Sequence, residues 1–256
     1  MADGLGRSIE LINSAFSNES GQNWDASLAD GGTPGAANSV GATDIAPIIR
    51  NVQHGPAVPS TADPVTITCE VVDDHGAPLT VTLYTRVDTV ETVFTPHTMY
   101  DDGLHDDGPA GDGIYGAVVG PFATDLTIVE FYVEASDGTQ TRTWPAPTRL
   151  GGDPVTYEQA AGALFQVDNS YVAPTDWTPG SMPVYRLIMR DAERDELISE
   201  ICGTSDHESN AEMNGTFISV DGVDERIRYQ VGIRNRGAGS RTSSPYNHRV
   251  NFPHDT

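Results

Sequence analysis

The chain has 256 residues, and its 37 acidic against 14 basic residues give a formal net charge of -23. Such acidity argues against nucleic acid as a general partner, because phosphate binding needs clustered positive charge, and against an anionic membrane surface. No apolar run approaches the roughly 20 residues of a bilayer span, so no membrane insertion is expected. All the basic residues are arginine, which excludes any mechanism that needs a lysine within this chain.

The composition favours a β-rich protein. The 26 glycines and 17 prolines indicate many turns. The two cysteines, Cys69 and Cys202, lie in regions that we assign to different domains, and we expect buried or idle thiols rather than a disulfide. Two cysteines alone cannot form a structural zinc site.

Residues 1–44 contain one strand pattern, at 8–12, followed by a turn-rich stretch with the aromatic residues Phe16 and Trp24. One short strand and two aromatic side chains cannot build a core. The strings S-I-E-L-I-N, N-W-D-A-S and G-G-T-P-G-A-A-N-S resemble the C-terminal end of bacterial lamin tail domains, which are β-sandwiches of secreted, multi-domain proteins. The resemblance implies that residues 1–44 are a remnant of such a domain. It also implies an extracellular or cell-surface location, with a signal peptide lost upstream.

Residues 45–150 alternate apolar and polar positions at 65–71, 79–84 and 129–135, with one break at Tyr132. Alternation of period two indicates strands with one buried face, and turn signals separate these segments. We therefore predict an antiparallel immunoglobulin-like or fibronectin type III-like β-sandwich over residues 45–150. The isolated histidines His54, His75 and His97 are expected on the surface or in loops.

This region contains an acidic loop, D-D-G-L-H-D-D-G-P-A-G-D-G-I-Y-G. Carboxylates at this density, beside glycines that let the backbone fold tightly, are suited to calcium through oxygen ligands. The spacing does not match an EF-hand. It resembles a hairpin of bacterial extracellular immunoglobulin-like repeats, in which aspartates shape a long turn. Calcium binding and a structural turn are therefore the two alternatives for these aspartates: Asp101, Asp102, Asp106, Asp107 and Asp112.

Residues 151–182 have no clear period, and we interpret them as a connector with some local packing. The sequence then predicts a strand at 184–189, a helix capped by Asp191 and reaching residue 201, a hairpin from 216–220 and 227–233, and a strand at 248–252. This order is the beginning of an α+β domain. The predicted fold class is thus mainly β, with a central antiparallel sandwich between a partial sandwich and the α+β segment 183–256.

Six of the 14 arginines lie between Arg226 and Arg249. The strings P-V-Y-R-L-I-M, N-G-T-F-I, V-G-I-R-N-R-G-A-G-S-R and Y-N-H-R-V-N-F-P resemble the opening of the CotH family, spore-coat-type, atypical protein kinase-like domains of secreted bacterial proteins. The resemblance implies ATP and magnesium as cofactors of the complete domain. It also implies that the catalytic aspartates and metal ligands of phosphoryl transfer lie beyond Thr256, so the chain alone is not expected to catalyse a reaction.

Arginine is suited to bidentate phosphate contacts, and a glycine-rich turn lets backbone N–H groups approach phosphates. The candidate nucleotide-binding residues are Arg234, Arg236, Gly237, Gly239, Ser240, Arg241 and Arg249. The alternative is that Arg234 and Arg236 share one face of a strand and form structural salt bridges. Asn251 also stands where the family usually carries a basic residue, which puts a phosphate-binding lysine in doubt.

Together the resemblances imply a non-catalytic fragment of a secreted or surface bacterial CotH-type kinase-like protein, in which the β-sandwich modules serve display or binding. Two other functions stay open from the sequence. The chain is either part of an adhesion protein whose sandwich binds protein, glycan or cell wall beside a degenerate CotH-like segment, or a spacer stiffened by calcium.

Overall fold

The protein is built mainly from antiparallel strands, which confirms the predicted fold class. The computed structural model describes residues 6–74, 76, 78–151, 156–159, 162–172, 184–200, 210–220, 224–237 and 246–253. The described strands form a small N-terminal hairpin, a two-sheet sandwich, a separate short hairpin and a four-stranded C-terminal sheet.

The N-terminal hairpin pairs β1 (Ile9–Leu11) with β2 (Trp24–Ala26), after a 3-10 turn at Gly21–Asn23. Its interior is polar, as expected for a segment with few apolar residues. The buried Glu10 carboxylate accepts from the Thr33 hydroxyl at 2.5 Å and from the Ser39 amide at 2.6 Å. Chiefly the Thr33 hydrogen bond lowers the pKa of Glu10 to about 2, against the opposing effect of burial.

The hairpin is held against the sandwich by hydrogen bonds. The Gln22 side chain accepts from the Ile49 amide at 3.0 Å and donates to the Ile49 carbonyl at 2.5 Å, as a neighbouring strand would. Arg142 donates to the Gln22 carbonyl at 2.9 Å.

Two facing sheets form the sandwich. Its strands are β3 (Ile48–Gly55), β4 (Val65–Val72), β5 (Thr80–Val87), β6 (Thr95–Met99), β7 (Ile114–Val119), β8 (Ile128–Ser136) and β9 (Thr141–Trp144). One sheet has the order β3-β4-β7. In the other, β5 lies between β6 and β8, and β9 pairs with the far side of β8. The strands predicted from alternation are β4, β5 and β8, and their alternate residues are buried between the sheets.

The sandwich extends beyond residue 150, the boundary predicted from the sequence. A short hairpin of β10 (Thr148–Gly151) and β11 (Thr156–Glu158) is followed by β12 (Ala163–Gln166). Strand β12 pairs with β8 beside β9, and its Ala163, Leu164 and Phe165 are fully buried. Part of the segment expected to be a connector is therefore a strand of the sandwich, and its lack of alternation follows from burial of both its faces.

The C-terminal sheet has the order β13 (Val184–Ile188), β14 (Met213–Val220), β15 (Glu225–Asn235) and β16 (His248–Asn251), all antiparallel. A short helix, α1 (Asp191–Asp195), continues as a π-helical turn at Glu196–Glu200. The capping position expected for Asp191 is occupied by Arg190, which makes no side-chain capping bond, and Asp191 is the first helical residue. Leu197 packs on Val231 and Ile233 of β15 in a small second core.

The sandwich and the C-terminal sheet share one hydrophobic core. Ile188, Ile218 and Tyr229 of the C-terminal sheet belong to the same buried cluster as Phe131 and Phe165 of the sandwich. The amide of Leu164 also donates to the Thr216 hydroxyl at 3.1 Å. The C-terminal sheet is therefore packed directly on the sandwich.

Candidate functional site

Strands β15 and β16 bring together three of the seven predicted nucleotide-binding residues. Arg234 and Arg249 are direct cross-strand partners, so their side chains leave the same face of the sheet. Arg236 lies two residues beyond Arg234, and its amide donates to the Asn247 carbonyl at 2.7 Å. We call Arg234, Arg236 and Arg249 the arginine cluster.

Side-chain amides and a carboxylate are polar neighbours of Arg234 and Arg249. Nη1 of Arg234 donates to the Asn210 side-chain oxygen at 2.8 Å, and its Nε lies 3.6 Å from Oε1 of Glu212. Nε of Arg249 donates to the Asn251 side-chain oxygen at 2.8 Å. The Arg234–Glu212 pair is a structural salt bridge of the kind expected in the alternative interpretation. Arg249 is held within the described chain by an amide rather than a carboxylate.

The predicted glycine-rich turn begins at the end of β15. Gly237 has φ +106°, a conformation that L residues with a side chain rarely adopt, so glycine is required there. Gly239, Ser240 and Arg241 lie outside the described residues. In the sequence, this turn follows the end of β15 that carries Arg234, and its role beside phosphates stays a prediction.

Two arginines of this segment, Arg226 and Arg228, lie at the other end of β15. Arg226 and Arg228 oppose Ser219 and Phe217 at the start of β15, beyond a bulge in the β14–β15 pairing, and Arg226 forms an ion pair with Asp224 at 3.3 Å. The six arginines that are close in sequence are thus not a single patch.

The aspartate loop, residues 101–113 between β6 and β7, is organised by carboxylates that accept backbone amides. Asp107 is fully buried, and its carboxylate accepts from the amides of Asp102 at 2.6 Å, Gly103 at 3.0 Å and His105 at 2.9 Å. Asp101 accepts from the amides of Gly111 at 2.6 Å and Gly113 at 3.0 Å. These are the contacts of the structural turn.

The other three aspartates also have local partners. Asp112 accepts from the Ile114 amide at 2.9 Å, and Asp106 accepts from the Thr66 hydroxyl at 3.2 Å. Asp102 accepts from the Leu104 amide at 3.0 Å, and its carboxylate also lies 2.9 Å from Nδ1 of His105.

Three side chains of this loop lie close enough together to share a metal ion. Ligand atoms of Asp102, His105 and Asp107 lie within 4.8 Å of one another. A histidine nitrogen is a poor ligand for calcium, which takes six to eight oxygens, and the Asp107 oxygens already accept three amides. Burial tends to raise the pKa of Asp107, but the amide donors outweigh it and lower the pKa to about 2. The contacts fit a turn better than a calcium site, and calcium binding stays a prediction.

The sequence predicts His54 on the surface or in a loop, and this prediction is wrong. The residue is buried in β3 between the rings of Phe165, Phe131 and Tyr229. Its Nε2 faces the Ala57 carbonyl at 3.1 Å, so Nε2 carries the hydrogen and donates, while Nδ1 accepts from the Tyr229 hydroxyl. Of the other two histidines, His97 is half-buried in β6 with Thr85 as its neighbour at 2.9 Å, and His75 lies outside the described residues.

A buried ion cluster joins β8 to helix α1 and was also not evident in the sequence. The Glu130 carboxylate is fully buried and binds Arg86 through Nε at 2.7 Å and Nη2 at 2.6 Å. It accepts from the Gly162 amide at 2.9 Å and lies 3.8 Å from Arg190. The alternating pattern of β8 gives no signal for this burial, because Glu130 occupies a position predicted to face solvent.

No protein-family model matches the sequence, and no curated protein is significantly similar to it. Among the described residues, no helix has the length and apolar character that crossing a membrane requires.

Proposed function

We propose that residues 183–256 are the N-terminal portion of a CotH-type kinase-like domain of a secreted or surface protein, and that the arginine cluster contacts the phosphates of a nucleotide. ATP with magnesium is the proposed ligand, through the resemblance of R-N-R-G-A-G-S-R to the family's motif. This chain alone is proposed to bind the nucleotide without catalysing transfer. Magnesium, when bound, would neutralise phosphate charge.

The observation that carries this proposal is the pairing of Arg234 with Arg249. Like charges directly opposite each other across a strand pair are destabilising. Glu212 offsets the charge of Arg234, and a phosphate group would offset the charge of Arg249, which is held by the Asn251 amide. Guanidinium groups form bidentate hydrogen bonds with phosphate oxygens, and the adjacent turn at Gly237 can present backbone N–H groups.

The test is equilibrium binding of ATP and magnesium to the whole chain by calorimetry. We expect measurable binding that falls at least about tenfold in Arg234→Gln and in Arg249→Gln, because one bidentate charged contact is worth roughly 1.5–3 kcal/mol. The matched control is Arg226→Gln, which removes an arginine from the other end of the same strand and should leave the affinity unchanged.

Two results would reject the proposal. The first is no binding of ATP to a folded chain, which would favour the adhesion hypothesis, with protein or glycan partners for the sandwich. The second is an equal loss of affinity in all three variants, which would indicate attraction by overall charge rather than by the arginine cluster.

A further inference from the structure

The C-terminal sheet contributes one aromatic side chain to the sandwich interior. Tyr229 is buried, and its ring lies edge-on to Phe131 of β8 and Trp144 of β9, each with a centroid distance of 5.6 Å. From the opposite sheet, His54 of β3 accepts a hydrogen bond from the Tyr229 hydroxyl. Tyr229 therefore contacts both sheets of the sandwich at once.

The same strand carries the arginine cluster. β15 runs from Glu225 to Asn235, with Tyr229 near its middle and Arg234 one residue before its end. Adjacent to Tyr229, Gln230 has φ +55° and donates through its side chain to the Gly162 carbonyl at 2.8 Å. The irregularity of β15 thus coincides with its attachment to the sandwich.

We propose that the sandwich is a positioning element of the arginine cluster, with Tyr229 as the positioning residue that fixes β15 and, through it, β16. The sandwich would then be a structural part of the anion site rather than a spacer for display. The attachment of β15 to the sandwich does not depend on the proposed function, whereas its consequence for ligand affinity rests on that function.

Physical coupling through Tyr229 follows from close packing. A side chain surrounded by rings from β3, β8 and β9 cannot shift without displacing them, because protein interiors have almost no free volume. Loss of the ring should therefore release β15 and β16 locally, at a lower free-energy cost than global unfolding.

The experiment is hydrogen exchange of the nucleotide-free chain in wild type, Tyr229→Leu and Tyr229→Phe. We expect Tyr229→Leu to speed exchange in residues 231–235 and 248–251 at least about tenfold, and in β5 and β6 much less. Tyr229→Phe keeps the ring and loses the hydroxyl, so a smaller rise of at least about threefold is expected from the lost hydrogen bond. If Tyr229→Leu does not fold, the exchange rates of Tyr229→Phe decide whether Tyr229 positions β15.

Two controls separate positioning from general loss of stability. Val81→Ala opens a cavity in β5 opposite Ala135, at a different position along β8 from Phe131, which contacts Tyr229, and it should not speed exchange selectively in β15 and β16. Tyr185→Leu removes a partly exposed ring of the same C-terminal sheet that stacks on Phe217 rather than on the sandwich, and it should leave exchange at residues 231–235 unchanged. Unchanged exchange at 231–235 in both Tyr229 variants, or equal increases in Tyr229→Leu and Val81→Ala, would overturn the proposal.

The affinity arm uses ATP and magnesium on the same variants. Tyr229→Leu should weaken binding at least about tenfold while Val81→Ala leaves it unchanged, since only the former displaces the arginines. If wild type binds no ATP, the proposed function fails, and the exchange result still decides whether the sandwich positions β15. Wild-type binding that is unaltered in Tyr229→Leu would instead refute the positioning claim alone.

Discussion

The buried His54 should make the protein sensitive to mild acid. The ring is enclosed by Phe165, Phe131 and Tyr229, and burial lowers its pKa from 6.5 to about 4, against a small opposing effect of the Ala57 carbonyl. The group that faces the ring from β15 is the Tyr229 hydroxyl, whose own pKa is raised by burial. The folded protein therefore holds His54 neutral at pH values where the unfolded chain binds a proton.

The sign and size of the effect follow from proton linkage. The contribution of His54 to stability is fully present above pH 6.5 and is lost as the pH falls from 6.5 toward 4. A shift of this size corresponds to about 3.4 kcal/mol in total, of which about 2 kcal/mol is lost between pH 7 and pH 5. Glu10, Asp107 and Asp168, whose pKa values are each lowered to about 2, titrate below this window in the folded protein.

The assay is urea unfolding at pH 7, 6 and 5, followed by circular dichroism, in wild type and His54→Gln. Glutamine can accept from Tyr229 and donate to Ala57 but cannot take up a proton, so the variant should lose about 2 kcal/mol less than wild type between pH 7 and pH 5. His97→Gln is the comparison variant: burial also lowers the pKa of this half-buried histidine of β6, so the variant should reduce the acid sensitivity, but less than His54→Gln does. Equal acid sensitivity of His54→Gln and wild type would refute the account of His54.

Two further predictions concern the sandwich. Phe165→Ala should lower the free energy of unfolding by about 3–5 kcal/mol in urea titrations, because it replaces a large core side chain by a small one. Val172→Ala, at an exposed position of the segment predicted to be a connector, should change this free energy by less than about 0.5 kcal/mol. Similar effects of the two substitutions would place Phe165 outside the core. In the aspartate loop, Asp107→Ala should lower the melting temperature more than Asp106→Ala, because three backbone amides lose their acceptor. Millimolar calcium should leave the melting temperature of the wild type unchanged, and a calcium-dependent rise would support calcium binding by this loop.

The strands that could be predicted from the sequence are those with one buried face. In β4 and β5, apolar and polar residues alternate because one side packs in the core and the other meets solvent. For β14 and β15 the signal was a different one, the turn residues Asp221 and Gly222 between two predicted strands. The break at Tyr132 has a local reason, since its ring stacks on Tyr84 of the neighbouring strand with a centroid distance of 4.6 Å.

The features that could not be predicted depend on distant residues. His54 is buried by Tyr229, which is 175 positions away, and no local pattern records such a contact. Glu130 is buried because Arg86 and Gly162 satisfy its carboxylate. In β3, the bulge between Arg50 and Gln53 interrupts the alternation that would have marked the strand.

The arginine cluster was predictable only in part. The sequence placed Arg234, Arg236 and Arg249 within one segment, but the register that sets Arg234 against Arg249 requires the paired strands. Arg226 and Arg228 lie at the opposite end of β15 from Arg234, so their distance from the cluster follows from the length of the strand, which their spacing in the sequence already indicates.

The most direct measurement of the central proposal is an NMR titration of the arginine side-chain Nε–H resonances with ATP and magnesium. The chain has 14 arginines and no lysine, so every cationic side chain is observed in one spectrum. The account predicts saturable shifts at Arg234, Arg236 and Arg249, with Arg226 and Arg7 unchanged. Shifts that are absent, or spread evenly over all the arginines, would contradict a nucleotide site at the end of β15.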